Sequence, residues 1–408
     1  MLRKPASRIS ILAWALYDLG NTAFALNIIS LHFALWVVND MGGTDSHYGY
    51  ANIVSMVVVL LTAPILGAMS DQTTRRMPFL IAATGLCVFF TVLLGIGGLH
   101  ISLLIFIVAN YMYHVGLIFY DALLLLISNE ENRGKVGSFG VGMGYVGSLA
   151  AAATGLLLLD AIGREGMFKI TAGFFLLFSI PCFVLVKEPI TRPFRVTREI
   201  ILGSIGQVTN TLRRANQFPG LVRFLVGRFF YADAINCLII FMGIYVTNEL
   251  GFTDAQAQIL LIIAVTSSII GAWVWGIMVD KIGPKRSLNL VLYLWMIVLL
   301  GVSLIPMLNF PTQSFWLVAV PAGIAMAGIW CADRPYLLRL VPAQYIGEFF
   351  GLYSMVGRFA TILGPAMWVV IADHMGLGRP AAVLALLVFV VISYGILRGV
   401  SDRPSLAN

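Results

Sequence analysis

Charged side chains are scarce in this sequence. Only 11% of the 408 residues are Asp, Glu, Lys or Arg, whereas 59% are hydrophobic. A water-soluble domain carries about 25% charged residues, so this chain has too little polar surface to cover a soluble body. Hydrocarbon surroundings remove that need, and the chain is long enough for about a dozen membrane spans of roughly 20 residues joined by short turns.

Motifs for soluble catalysis and metal binding are also missing. The sequence has no Gly-Lys-Ser/Thr phosphate loop, which argues against direct use of ATP. The glycines Gly140, Gly142 and Gly144 lie inside an apolar run and lack the preceding strand that a dinucleotide fold requires. The four cysteines lack metal-ligand spacing, so we predict buried small side chains without a disulfide scaffold. We therefore expect no enzyme activity, cofactor or metal. The cysteines are Cys87, Cys182, Cys237 and Cys331.

The net charge of +7 is distributed unevenly between alternate loops. An excess of Lys and Arg marks the cytoplasmic loops of membrane proteins, so we interpret this charge as a signal of orientation and expect no nucleic-acid binding. We predict a multi-pass protein of the inner membrane with both termini in the cytoplasm. The opposite loops have only Arg164, Lys169 and Arg379. The basic side carries Arg3, Lys4, Arg8, Arg75, Arg76, Arg133, Lys135, the arginines of 188–220, Lys281, Lys285, Arg286, Arg398 and Arg403.

Apolar runs between charged or Gly/Pro-rich breaks predict twelve spans, and hence an all-α membrane protein. The first run is too long and too polar for a signal peptide, so we read it as an uncleaved span. The one long polar stretch divides the spans six and six. We predict an N-terminal six-helix bundle at 1–187, a cytoplasmic linker at 188–220 and a C-terminal six-helix bundle at 221–408. The spans are predicted at 11–37, 48–70, 78–98, 101–127, 136–160, 167–187, 221–247, 254–279, 287–307, 315–340, 347–373 and 379–398.

Three motifs occur once in each half of the chain. The first and seventh spans carry Asp-x-x-Asn, the loops after the second and eighth spans carry Gly-x-x-x-Asp followed by basic residues, and the fifth and eleventh spans open with glycines. The three offsets are 215, 209 and 213 residues, which predicts a duplicated six-span unit. The repeated positions are Asp18 and Asn21 with Asp233 and Asn236; Gly67, Asp71, Arg75 and Arg76 with Gly276, Asp280, Lys285 and Arg286; and Gly134 with Gly347.

The duplicated loop resembles the signature loop of the major facilitator superfamily. The resemblance implies two pseudo-symmetric six-helix bundles that rock about a central cavity. It also implies that the eight loop residues just named act in the conformational switch. Physically, Gly67 lets two helices approach closely, and Asp71 can cap the N-terminus of a neighbouring helix.

Several other stretches resemble the vacuolar amino-acid effluxers linked to autophagy and their bacterial relatives. This resemblance covers nearly the whole chain and implies efflux of amino acids or similar small solutes. The chain departs from those proteins at Asp121 and Asp333, where they tend to carry Asn and a small polar residue, so the predicted cavity gains two acids. The matching stretches are Trp14 to Asp18 with Asn21 and Phe24, Gly140 to Gly147, Gly271 to Asp280, Glu348 to Ser354, and Gly364-Pro365.

Ionisable side chains inside spans are costly and usually mark a pathway or a proton relay. Asp18, Asp121, Asp233 and Asp333 lie in spans 1, 4, 7 and 10, which line the cavity in the superfamily. At 1.5 Å per residue, we place them roughly 10 to 18 Å from the cytoplasmic end, within reach of one inward-facing cavity. The predicted substrate and proton-coupling residues are Tyr17, Asp18, Asn21, His114, Asp121, Asp233, Asn236, Asp333 and Arg334. Further ionisable candidates within spans are His32, Arg228 and Arg358.

Structural roles compete with these functional roles. An Asp-x-x-Asn pair can tie spans together through hydrogen bonds, and Arg334 can simply neutralise Asp121 or Asp333. His32 has the sequence position of an interfacial histidine, and Arg358 that of a structural ion pair. Both sets of interpretations stay open at this point.

We predict a secondary transporter that moves a small solute by alternating access, with proton-coupled export. Asp18 and Asp121 are the leading candidates for proton and substrate contacts, and Arg334 is the candidate for holding a carboxylate group. The expected partners are the solute, protons and the lipid bilayer, with the chain acting as a monomer. Two alternatives remain: a cation or metal exporter that uses the acids as ligands, and a non-transporting scaffold or sensor.

Overall fold

The computed structural model describes residues 7–72, 76–128, 132–188, 210–211, 213–341 and 346–400. Ten helices in this part of the chain are long and apolar enough to cross a membrane. One of them, Val136–Leu185, contains two spans, because Gly163 has φ 65° and ψ 177° and interrupts the helical path. The apolar helix Met77–Val92 adds a short span of about 24 Å at 1.5 Å per residue. The all-α membrane fold with twelve spans is confirmed.

The spanning helices are numbered α1 to α12 in chain order. Their bounds are α1 Arg8–Asp40, α2 Asp45–Gln72, α3 Met77–Val92, α4 Gly98–Ile127, α5 133–162, α6 164–185, α7 Leu221–Glu249, α8 Asp254–Ile282, α9 Pro284–Met307, α10 Thr312–Leu340, α11 346–374 and α12 Gly378–Arg398. Three of these helices contain π-helical segments: Ala25–His32 and Trp36–Asp40 in α1, Tyr245–Glu249 in α7 and Val370–His374 in α11.

Helices form because backbone polar groups in hydrocarbon must find partners within their own segment. Where a helix begins, side chains supply the missing partners. At the start of α8, Thr253 Oγ1 accepts a hydrogen bond from the Gln256 N–H at 3.2 Å. Gln256 Oε1 accepts one from the Thr253 N–H at 2.9 Å, which completes a capping box.

The chain divides into two compact units, Met1–Ile205 and Gly206–Asn408. The first unit holds α1 to α6 and the second holds α7 to α12. The division falls inside the predicted linker 188–220, most of which (189–209 and 212) lies outside the described residues. Arg75 lies outside the described residues as well, and so do the surroundings of Gly67 and the side chain of Asp71.

Glycine allows close helix packing in each unit. In the first, a β-carbon on Gly147 of α5 would lie 2.1 Å from the Leu19 carbonyl oxygen of α1. In the second, a β-carbon on Gly323 of α10 would lie 2.1 Å from the Ala264 carbonyl oxygen of α8. Only a residue without a side chain permits backbones to approach this closely. Burial of the cysteines is confirmed for Cys87, Cys182 and Cys237, whereas Cys331 is half-buried, and all four are free thiols.

A repeated ion pair shows the duplication at the structural level. Asp40, at the end of α1, pairs with Arg164 at the start of α6 at 2.5 Å. Glu249, at the end of α7, pairs with Arg379 at the start of α12 at 3.9 Å. The acids are 209 residues apart and the arginines 215, which are offsets of the repeat already seen in the sequence.

The eleventh span, predicted as one continuous run at 347–373, is two helices. The first half is Ile346–Phe359 and the second begins at Leu363. Residues 360–362 form a turn between them, and Ile362 has φ −112° and ψ −50°. The Gly364-Pro365 pair accounts for the position, because Pro365 lies in the first turn of the second half-helix, where its missing N–H costs no helical hydrogen bond.

Candidate functional site

In the first unit, a chain of hydrogen bonds connects Asp18 to α4. Asn21 Nδ2 donates to Asp18 Oδ1 at 3.0 Å, and Tyr113 Oη donates to Asn21 Oδ1 at 2.8 Å. Asn21 and Tyr113 are buried, whereas Asp18 is half-buried. Gly144 of α5 leaves room for this carboxylate, because a β-carbon there would lie 3.2 Å from Asp18 Oδ2. The predicted Asp-x-x-Asn motif therefore holds one partly accessible acid in a fixed position.

Aromatic rings surround that motif. The Tyr120 ring stacks on Trp14 at 4.8 Å and on Tyr17 at 4.6 Å between ring centroids. Tyr17 is buried, and its hydroxyl lies 3.0 Å from Thr84 Oγ1 of α3. Its observed contacts are thus with the core of the first unit, although it flanks Asp18 in sequence.

The remaining predicted residues of the first unit lie on α4. Asp121 is exposed, and His114 is half-buried with its ring edge-on to Tyr113 at 5.1 Å. Asn110, one turn before His114, is buried and donates to Asn52 Oδ1 at 3.1 Å. His32 differs from its expected interfacial position, because it is only 1% exposed and neither ring nitrogen has a hydrogen-bond partner in the described part of the chain.

A buried ion pair dominates the second unit. Arg228 of α7 donates from Nε to Asp333 Oδ2 of α10 at 3.3 Å, and the two residues are 3% and 0% exposed. Tyr231, one turn after Arg228, donates its hydroxyl to the same Asp333 oxygen at 3.2 Å. Two donors from one face of α7 therefore converge on one carboxylate oxygen.

The first half of α11 packs against this ion pair. The Arg228 guanidinium lies over the Tyr353 ring, 3.6 Å from its centroid. Gly357, one turn later, lies on the guanidinium, since a β-carbon there would be 2.5 Å from Arg228 Nη1. Arg228 is thus held by a carboxylate, an aromatic face and a glycine, which is a stronger constraint than an ion pair alone.

The ion pair borders a narrow cleft with a cavity volume of about 20 Å³, close to the space that one water molecule needs. Small-molecule sites are mostly apolar, with a few polar groups that fix orientation, but they measure about 300 to 1,000 Å³, so the cleft must widen before a solute can enter it. Two polar atoms of the pair have no hydrogen-bond partner among the described residues: Arg228 Nη1, a donor, and Asp333 Oδ1, an acceptor. The cleft is lined by Arg228, Tyr231, Ala232, Ile235, Asn236, Met326, Ile329, Trp330 and Asp333.

The second Asp-x-x-Asn motif makes different contacts from the first. Asp233 is fully buried, and its Oδ2 accepts from the Gly364 N–H at 2.5 Å. Asn236 Nδ2 donates to the Ala360 carbonyl oxygen at 2.7 Å. Both bonds reach the interruption of α11, and only Asn236 also lines the cleft.

The predicted Arg334 is half-buried, with its guanidinium 5.9 Å from the centroid of the Trp330 ring. Its role in holding a carboxylate group stays a prediction. The ion pair observed for Asp333 is with Arg228, which the sequence marked only as an ionisable residue within a span. Tyr353 is not among the predicted site residues, although it lies in the stretch Glu348 to Ser354 that carries the family resemblance.

The duplicated loops make contacts near the helix ends. In the first unit, Glu188 accepts from the backbone N–H groups of Arg76 and Met77 at 2.8 and 2.9 Å, and so caps α3. In the second, Lys285 Nζ donates to the Val400 carbonyl oxygen just after α12. Gly276, Asp280 and Arg286 are exposed. Their role in a conformational switch stays a prediction.

Comparison with known proteins identifies relatives along nearly the whole chain. A family model described as "Vacuole effluxer Atg22 like" matches residues 35–404. The uncharacterized MFS-type transporter YxiO of Bacillus subtilis (strain 168) is 27% identical, over 96% of this chain and 95% of that protein. Autophagy-related protein 22-1 of Penicillium rubens is 24% identical, over 67% of this chain and 51% of its own length.

Solved structures agree on the fold. The nucleoside transporter NupG superposes with a TM-score of 0.72 at 11% sequence identity, over 95% of this chain and 99% of NupG. A bacterial homologue of the human lysosomal transporter Spinster gives 0.68 at 17% identity, over 99% of this chain and all of that one (100%). At these identities the likeness concerns the fold alone.

Proposed function

The chain belongs to the vacuole effluxer Atg22-like family of major facilitator transporters, and we propose that it exports a small zwitterionic solute, an amino acid or a similar compound, in exchange for entering protons. It is a multi-pass membrane protein and a transporter. The substrate, the direction of transport and the coupling to protons are the parts that we propose.

One observation carries the proposed substrate class: the Arg228–Asp333 pair borders an apolar cleft and has one buried donor and one buried acceptor without a hydrogen-bond partner among the described residues. Arg228 Nη1 suits a substrate carboxylate, and Asp333 Oδ1 suits a substrate ammonium group. The hydrophobic lining at Ile329 and Met326 suits an apolar side chain. A solute with both charges fits these groups better than an amine or an acid alone.

The energetics of a buried ion pair support a functional role. Such a pair is often no more stabilising than hydrophobic residues of the same volume, because both charges lose their hydration. A pair kept inside a membrane span therefore usually marks a pathway. We propose that the substrate completes a site at Arg228 and Asp333.

Proton coupling is proposed at Asp18 and Asp121, the two predicted acids that are not fully buried in the structure. Asp18 is half-buried and positioned by Asn21, and Asp121 is exposed. Their partial exposure supports proton exchange more directly than the full burial of Asp233 does. Orientation in the inner membrane, with both termini in the cytoplasm, is proposed from the basic loops, and a monomer from the absence of any evident need for a second copy at this site.

Flux in proteoliposomes tests the proposal. We expect counterflow of a labelled amino acid that a pH gradient accelerates, and we expect Asp18→Asn to retain counterflow while losing that acceleration. If the pH gradient leaves wild-type flux unchanged, proton coupling is wrong. If divalent cations are carried and amino acids are not, the site is that of a cation exporter.

A further inference from the structure

The interruption of α11 is bound at both ends by a single turn of α7. Asn236 Nδ2 donates to the Ala360 carbonyl oxygen at 2.7 Å, at the end of the first half-helix. Asp233 Oδ2 accepts from the Gly364 N–H at 2.5 Å, at the start of the second half-helix. The two side chains are three residues apart, so they lie on one face of α7. Each end of the interruption has its own partner.

These bonds satisfy groups that the interruption exposes. In hydrocarbon, a helix end without a partner costs several kcal/mol, which disfavours a break in the middle of a span. Asn236 supplies a donor for the carbonyl and Asp233 an acceptor for the amide. Each side chain thus supplies the hydrogen-bonding group that its end of the interruption lacks. We call this pair of side chains, Asp233 and Asn236, the clamp.

The local sequence favours the break. Pro365 has no backbone N–H to continue the helical hydrogen bonds, and its ring crowds the carbonyl group of Thr361, one turn earlier. Gly364 is needed for the approach of α7, because a β-carbon there would lie 2.8 Å from the β-carbon of Cys237 and 3.0 Å from the Asp233 carbonyl oxygen. Thr361 closes the turn by donating its hydroxyl to the Arg358 carbonyl oxygen at 2.8 Å.

The two halves of α11 then contact different parts of α7. The first half carries Tyr353 and Gly357, which hold the Arg228 guanidinium near the start of α7. The second half carries Trp368, whose ring stacks on Phe241 at 4.7 Å, near the end of α7. The interruption lies between these two attachments.

We propose that Asp233 and Asn236 are positioning residues that hold α11 interrupted, so that its first half stays on Arg228 while its second half moves with the end of α7 during transport. Discontinuous helices with Gly/Pro interruptions commonly form the binding sites of transporters. The first unit has the same motif without this feature, since α5 continues unbroken past Asp18. The inference concerns the transport cycle and is independent of which solute is carried.

Hydrogen exchange of the full chain in lipid nanodiscs tests the clamp without any substrate. The variants are Asn236→Leu and Asp233→Leu, which are close in volume to the native residues and tolerated by hydrocarbon. We expect the rate of amide hydrogen exchange in peptides covering 360–366 to change by about tenfold, which is the effect of losing one buried hydrogen bond. Peptides of α8 and α9 should not change. Asn21→Leu, the matched change in the first unit, should leave 360–366 unaffected.

Transport kinetics separate positioning from substrate contact. For Asn236→Leu we expect a maximal rate lower by about tenfold and a half-saturating concentration within about threefold of wild type. Asp233→Asn keeps an acceptor oxygen for the Gly364 N–H, so this variant should keep most of the maximal transport rate that Asp233→Leu loses. A raised half-saturating concentration at an unchanged maximal rate would make these residues substrate contacts and overturn the inference.

The two proposals fail in different ways. Unchanged exchange at 360–366 in both leucine variants would show that the break does not depend on α7, whatever the solute. If wild-type proteoliposomes carry no amino acid while the leucine variants alter amide exchange as expected, the proposed substrate is wrong and the inference about Asp233 and Asn236 stands. Should a leucine variant fail to fold, Asn236→Ala removes the same donor with a smaller side chain.

Discussion

Gly357 lies so close to Arg228 that a β-carbon at this position would be 2.5 Å from Nη1 of the guanidinium. The same guanidinium lies over the ring of Tyr353, 3.6 Å from the centroid. Arg228 is therefore placed by the shape of α11 as well as by the charge of Asp333. This arrangement makes the position of Nη1, the donor that we assign to the substrate carboxylate, sensitive to changes on a different helix.

Replacement of Gly357 by alanine should displace Arg228 and weaken substrate binding. Real β-carbons essentially never lie under 3.0 Å from another heavy atom, so the guanidinium must move. Overpacking of this kind costs about 1–3 kcal/mol, which corresponds to roughly a tenfold loss of affinity. Isothermal titration calorimetry of the purified protein measures this loss of substrate affinity. Gly351→Ala, on the same half-helix in open space, is the control and should bind like wild type.

Arg228→Lys should also weaken binding although it keeps the charge. Lysine cannot donate to Asp333 and to a substrate with the planar geometry of a guanidinium, and it stacks less well on Tyr353. A desolvated cation–π contact contributes about 2 kcal/mol, so we expect roughly a 30-fold loss of affinity. Tyr353→Phe keeps the aromatic face and should lose little. Equal losses in both variants would contradict the assigned role of the ring.

Much of the fold followed from composition and periodicity. Membrane spans are set by the thickness of hydrocarbon, so apolar runs predicted all twelve, and loop charge and repeated motifs predicted the duplication. The interruption of α11 was not predicted, because Gly364-Pro365 at the centre of an apolar run is also compatible with a kinked helix. The repeated acids at Asp40 and Glu249 were visible in sequence but have meaning only once their arginines are located.

The site was predicted in part. Asp333 and Asn236 do line the cleft, and Asp18 is held by Asn21 as the motif suggested. The partner of Asp333 could not be chosen, because sequence distance does not reveal which helices pack together. Arg228 lies 105 residues away from Asp333, and only the packing of α7 on α10 brings them into contact. For the same reason, the sequence could not show that the two Asp-x-x-Asn motifs make different contacts.

Gly147→Ala should destabilise the first unit strongly. The added β-carbon would lie 2.1 Å from the Leu19 carbonyl oxygen, and a backbone atom cannot move aside as a flexible side chain can. We expect a loss of at least about 1–3 kcal/mol, seen as a lower melting temperature in detergent. Gly142→Ala, on the same helix with nothing within 4 Å, should melt close to wild type. Matching temperatures for both variants would argue against close packing of α1 and α5.

Tyr113→Phe should weaken the chain of hydrogen bonds that positions Asp18. It removes the 2.8 Å donor to Asn21 Oδ1 and leaves a buried acceptor unsatisfied, at a cost of about 1–3 kcal/mol. We expect a lower melting temperature and a smaller acceleration of flux by a pH gradient. Tyr111→Phe is the control, since its 3.2 Å bond to Thr62 is only half-buried. A full pH response in Tyr113→Phe would separate Asp18 from proton coupling.

The most direct measurement concerns the buried donor of Arg228 and the buried acceptor of Asp333 that have no hydrogen-bond partner among the described residues. Ligand-induced stabilisation of the purified protein should be compared for an apolar amino acid, the amine without its carboxylate and the acid without its ammonium group. We predict that only the amino acid stabilises the wild-type protein, and that Asp333→Asn and Arg228→Gln each abolish the effect. Equal stabilisation by the amine or by the acid, or full stabilisation in either variant, would contradict a zwitterion bound between these two residues.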